Sequence, residues 1–293
     1  PNGGIKMVVA DGAGSGAAVT DVLDMTGGTG NVGLGSGNLG TALTTGTDNV
    51  AIGEASLDAV TTGGALTTGD ENIAIGSGAL LVATTASDNT AIGSSALKAN
   101  TTGASNVAVG KDALDTNTTG ASNVAIGMDS MDANTTGGSN VAVGFQALAT
   151  NTTADNNVAI GKDALLYNTT GAQNVAVGSV ALAANTTASE NVAVGYAALT
   201  AATTGGNNIA IGKDALIALT TGNTNIAIGT DALTTNVAGD RNVAVGEQAL
   251  QNMNPSGNVD TLNTAVGYNA GLSVTTGIRN TIMGGRAGDA LID

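Results

Sequence analysis

A short apolar run, Val-Ala-Val or Val-Ala-Ile, returns along this chain with Asn before it and Gly after it. In Asn106–Ser122 the pattern reads N-V-A-V-G-K-D-A-L-D-T-N-T-T-G-A-S, and Asn123–Ser139 continues N-V-A-I-G-M-D-S-M-D-A-N-T-T-G-G-S. The leading Asn recurs ten times at a strict spacing of seventeen, from Asn89 to Asn242. Looser copies begin at Asn31, Asn49, Asn72, Asn263 and Asn280, which makes fifteen in all. A fixed period of this length marks a stacked architecture, in which one repeat cannot bury its apolar residues alone.

With the leading Asn as position zero, positions one to three form a β-branched run bounded by Asn and Gly, which predicts a strand. Position two is Ala in thirteen of the fifteen copies, Gly33 and Ile282 being the exceptions. Side chains alternate across a strand, so positions one and three face one way and position two the other. Both faces are apolar, and burial of both is expected. A lone solenoid needs one inner face per strand, so the second implies a partner surface. The residues expected to carry this packing are Val107, Ala108, Val109, Gly110 and Leu114, with Val124, Ala125, Ile126 and Gly127 in the next copy.

Position four is Gly in every copy, which predicts a positive-φ corner or a tight backbone approach. Leu at position eight has no apolar neighbours at helical spacing and is expected to point inward as a plug. The N-T-T-G that usually occupies positions eleven to fourteen has turn composition. Aligned Asn residues can form amide ladders along the stack. At ~4.8 Å per rung, fifteen turns would span about 70 Å. The fold class expected is therefore all-β, a parallel β-solenoid of seventeen-residue turns over 31–293. Residues 1–30 lie outside the repeat and are expected to be an N-terminal cap or junction, with a strand in Ile5–Ala10. Insertions around Gly64–Gly69 and Pro255–Asp260 belong on the outside of the stack. The chain stops partway through its last copy, which suggests a piece of a longer fibre.

Composition narrows the function. With 45 Gly, one Phe, three Tyr and no Trp, the core must be aliphatic. A net charge of −15 repels nucleic acid and anionic membranes, so neither is expected as a partner. No apolar run approaches the ~18 residues of a membrane span, and the first eleven residues do not read as a signal peptide. The absence of His and Cys removes most nucleophile–base pairs and the usual zinc ligands. Asp112, Asp129, Asp163, Asp214 and Asp231 share position six, which reads as a solvated column. No catalysis, metal or cofactor is expected, although Asp112 and Asp129 on neighbouring turns could form a calcium site. Gly35–Gly40 matches G-x-G-x-x-G without the βαβ context that would give it meaning. The N-T-T triplets at Asn100, Asn117, Asn134, Asn151, Asn168 and Asn185 match glycosylation sequons but read as turn chemistry. A Thr-Thr pair offers only one Thr per turn to any one face, short of a two-wide ice-binding array. Phe145, Tyr196 and Tyr268 all fall at position five and are candidate surface contacts.

The block N-V-A-I-G-x-x-A-L resembles the head repeat of trimeric autotransporter adhesins, the YadA-like head. In its seventeen-residue form, closing on N-T-T-G, it looks most like repeats in long tail-fibre proteins of bacteriophages. The resemblance covers about 31–293. It implies a left-handed parallel β-roll and an intertwined homotrimer, which supplies the partner face that the apolar strands demand. Each repeat here is about three residues longer than the adhesin form, and no stalk or anchor follows. The function implied is a structural, adhesive segment: a virion tail-fibre shaft facing a host receptor or glycan, with a bacterial surface adhesin head as the alternative. A monomeric ice- or ion-binding solenoid is the reading from another class. The repeats vary most at positions five, six, nine and ten, so the shaft is expected to act mainly as a spacer, with recognition in a terminal domain.

Overall fold

In this computed structural model the described residues are 8–10, 19–21, 30–35, 46–58 and 69–292. They fall into two compact units, divided between Thr136 and Gly137. Among the described residues every regular element is a strand. The repeat array of the first unit has six strands of three residues, Val32–Leu34, Val50–Ile52, Ile73–Ile75, Thr90–Ile92, Val107–Val109 and Val124–Ile126. That of the second has nine, from Val141–Val143 to Thr281–Met283. Within each unit, the strands of successive copies pair in parallel with like positions in register, as in Val107↔Val124, Ala108↔Ala125 and Val109↔Ile126. The expected parallel β-solenoid, one turn per copy, is what forms.

Backbone ladders run well beyond the strands. The Asp112 N–H donates to Ser94 O at 3.0 Å, Leu114 N–H to Ser130 O at 3.0 Å and Thr118 N–H to Thr135 O at 2.9 Å. Many turn residues therefore satisfy their amides on the neighbouring rung instead of in water.

The interior is narrow and filled by a few columns. Ala108, Ala113 and Leu114 are fully buried, as are their counterparts through most of both units. Leu at position eight is the expected plug, but it sits in the left-handed region, with φ between 50° and 55° in every described copy that carries Leu there. Such a conformation costs a side-chain-bearing residue about 1–2 kcal/mol. Burying a leucine contributes ~1.5–3 kcal/mol, so packing outweighs the backbone strain. Positions six and sixteen, Asp112 and Ser122 in the same turn, also have positive φ.

The position-four glycine meets both conditions expected of it. Gly110 has φ 140°, and a Cβ added there would lie 2.5 Å from the carbonyl oxygen of Gly127 on the next rung.

Of the two apolar strand faces, the chain itself buries the Ala face; the Val/Ile face, for which the sequence implies a partner surface, points outward and is half-exposed in the single chain. The steric reason is the narrow interior, which accepts a methyl at position two but no larger branched side chain across most of the stack.

Of the N-terminal expectations, Val8–Ala10 is a strand, paired antiparallel with Val19–Asp21; Ile5–Met7 lie outside the described residues. The insertion at Pro255–Asp260 carries a second small ladder, Val259–Asp260 beside Gly239–Asp240, and most of it is exposed. Of the Gly64–Gly69 insertion only Gly69 is described.

Candidate functional site

The outward strand face is the first candidate. Positions one and three present Val107 and Val109, then Val124 and Ile126, in a two-wide aliphatic strip. Ile92, Ile126, Ile160, Ile211 and Ile228 are among the exposed large hydrophobics. In the second unit nine rungs, ~4.8 Å apart and two side chains wide, give a strip on the order of 400 Å². A contiguous patch of that extent, as distinct from single exposed apolar residues, is often functional. Ala108, Ala125 and Leu114 are enclosed by their own chain, so packing against another molecule would fall to Val107, Val109, Val124 and Ile126. Gly110 and Gly127 turn the chain away from this face at its edge.

The asparagines behind the strands lock the rungs. Asn106 Nδ2 donates to Asn89 Oδ1 at 3.2 Å and to Gly120 O at 2.9 Å, while its backbone N–H donates to the same Asn89 oxygen at 2.9 Å. A second ladder runs through the N-T-T asparagines, with Asn117 Nδ2 donating to Asn100 Oδ1 at 2.8 Å. All six of those asparagines are fully buried, so their sequons are closed to glycosylation in the folded chain. The first Thr of the pair ties rungs together, Thr118 Oγ1 donating to Thr135 O at 3.0 Å, and the second is exposed. The exposed Thr column is thus one wide.

Position six and its neighbours hold the charges. Lys162 pairs with Asp163 and Lys213 with Asp214, each at 3.2 Å, and Lys111 pairs with Asp112 in the same way. At position nine, Asp115 and Asp132 stand on adjacent rungs. Burial pushes the Asp115 carboxyl above its usual range despite Lys98 at 3.9 Å. Burial, then the Asp115 charge, pushes Asp132 up as well. Asp112 and Asp129 do lie on adjacent rungs, but among the described residues no group of three or more acidic side chains is arranged to hold a metal ion. Of Gly35–Gly40 only Gly35 is described.

Phe145, Tyr196 and Tyr268 do share one column just past the glycine corner; Tyr196 and Tyr268 are exposed and Phe145 half-exposed. Sequence reading missed the Lys–Asp pairs, although G-K-D recurs at Gly110, Gly161 and Gly212 and could have revealed them. It also missed the positive-φ positions, for which Leu and Ser give no signal. Comparison of the chain with protein-family models, with curated proteins and with solved structures returned no match.

Proposed function

We propose that this chain is a non-catalytic structural segment of an elongated extracellular fibre, a homotrimer of left-handed β-rolls of the bacteriophage tail-fibre shaft type. The observation that carries the reading is the outward Val/Ile strip, repeated rung after rung beside an already complete interior. A chain that folded to stay single would place polar residues there, as it does on its turns. The strip is also the part of the N-V-A-I-G-x-x-A-L block through which the resemblance to trimeric fibres would act. The head of a bacterial trimeric adhesin shares that block and is the alternative within the same class. The monomeric ice-binding reading is disfavoured, because the exposed Thr column is one residue wide.

In a fibre of this kind the repeated turns supply stiffness and reach. Sedimentation of the native protein tests the assembly: a species of three times 27.9 kDa is expected. A stable, soluble monomer at micromolar concentration would overturn it. Attachment assays on virions whose fibre lacks two or three whole turns test the role, with near-normal attachment expected of a spacer.

A further inference from the structure

We infer that the position-five column of the second unit is a row of weak contact sites for neutral, hydroxyl-rich pyranose chains. The chain has only four aromatic residues, and three of them, Phe145, Tyr196 and Tyr268, stand in this one column. Tyr196 is 57% exposed and Tyr268 46%.

Each ring has a cation on the following rung. The Asp163 N–H donates to Phe145 O at 3.0 Å, which sets Lys162–Asp163 beside Phe145. The Asp214 N–H donates to Tyr196 O at 3.0 Å and sets Lys213–Asp214 beside Tyr196 in the same way. The Arg286 N–H donates to Tyr268 O at 2.7 Å, and its guanidinium lies 5.9 Å from the centre of that ring. Phe145 to Tyr196 and Lys162 to Lys213 are both steps of 51 residues, three turns, or about 14 Å along the stack. Two like constellations therefore repeat in register.

Their chemistry selects the ligand. A ring that stands out from the surface offers a flat apolar platform, which suits the C–H face of a pyranose. The neighbouring Lys–Asp pair offers donors and an acceptor to hydroxyls while carrying no net charge. Polyanions gain little from a neutralised lysine and are repelled by a chain of net charge −15. A single ring with one ion pair gives a weak contact, so binding depends on several along one polymer. The column lies beyond the glycine corner and carries Lys and Tyr, so it is separate from the Val/Ile strip, and the inference does not depend on trimer formation.

Native electrophoresis through gels containing dextran, galactomannan, hydroxyethylcellulose or polygalacturonate tests it. Retardation by at least one neutral polymer is expected. That retardation is expected to be lost in the Phe145→Ala/Tyr196→Ala double variant and reduced by Lys162→Met/Lys213→Met, with unchanged thermal melts. Tyr167→Ala, an exposed ring outside the column, is expected to migrate as wild type. Retardation by no polymer, or retardation that persists in the double variant, would overturn the site. Retardation by polygalacturonate alone would overturn the ligand class.

Discussion

Asn185 marks the end of a ladder. Its Nδ2 donates to Asn168 Oδ1 at 2.6 Å and to Ala188 O at 3.0 Å, but its own Oδ1 is buried without a donor. The next position in the column is Ala202, which has no amide to offer. Interior asparagines such as Asn168 are used on both sides, donating to Asn151 at 3.1 Å and accepting from Asn185. Asn168→Ala is therefore expected to cost about 1–3 kcal/mol, Asn185→Ala roughly 1 kcal/mol less, and Ala202→Asn to add about 1 kcal/mol. Chemical denaturation of the three variants measures the order; equal costs for Asn168→Ala and Asn185→Ala would show that the second amide contact of an interior rung contributes nothing.

Asp115 and Asp132 set a pH dependence of the opposite sign from a salt-bridged carboxylate. Burial raises both, most strongly at the expense of the charged form. Their contribution to stability is then fully present below the unfolded value near 3.8 and is lost as pH rises through the raised folded values. Asp115→Asn/Asp132→Asn is expected to melt higher than wild type at pH 7 and to show a shallower loss of stability between acid and neutral pH. A lower melting temperature at pH 7 would mean that the Lys98 pairing outweighs desolvation.

One turn is the element of this fold, and its boundaries are set by register. The strand is only three residues long, so pairing alone would hold it weakly; the ladders through the turn residues and the two Asn columns hold the rest. Gly178 shows the tolerance: a Cβ there would stand 2.2 Å from Gly195 O, at φ 140°. Deleting Asn157–Gln173 removes one whole turn and leaves every column aligned, so cooperative melting and β-rich circular dichroism are expected to persist. Deleting only Asn157–Ala164 sets Asn, Ala and Gly columns against the wrong partners, and the second unit is expected to lose its cooperative transition. Equal tolerance of both deletions would show that seventeen residues are not the structural unit.

For the molecule as a whole, the question is what covers the Val/Ile strip. Self-association satisfies it with surface already present in every copy, and parallel copies place like rungs at like heights. Each copy carries −15, so in the proposed trimer the apolar contact would have to overcome a long-range repulsion that salt screens. Val175→Lys/Val177→Lys, which puts two ammonium groups on the outward face of one rung, is expected to weaken the proposed trimer at least tenfold while sparing the buried Ala176 column. Sedimentation equilibrium reads this directly. An unchanged association constant would place the interface elsewhere.

The repeat length, the strand at Val107–Val109, the glycine corner and the inward Leu114 could all be read from the sequence. Each is a local rule applied in most or all of the fifteen copies, and repetition removes the ambiguity that a three-residue strand would carry alone. The N-T-T asparagines were legible as structural for the same reason. What the sequence left open was which apolar strand face lies inside, because alternation separates the faces without naming them. The tertiary structure decided for Ala108, since the interior has room for a methyl and no more. It also decided the left-handed backbone of Leu114, where core burial outweighs an unfavourable local conformation. The shared column of Phe145 and Lys162 could be read from the period. The approach of the Arg286 guanidinium to the Tyr268 ring was settled only by the stack, because it depends on a contact a full turn apart.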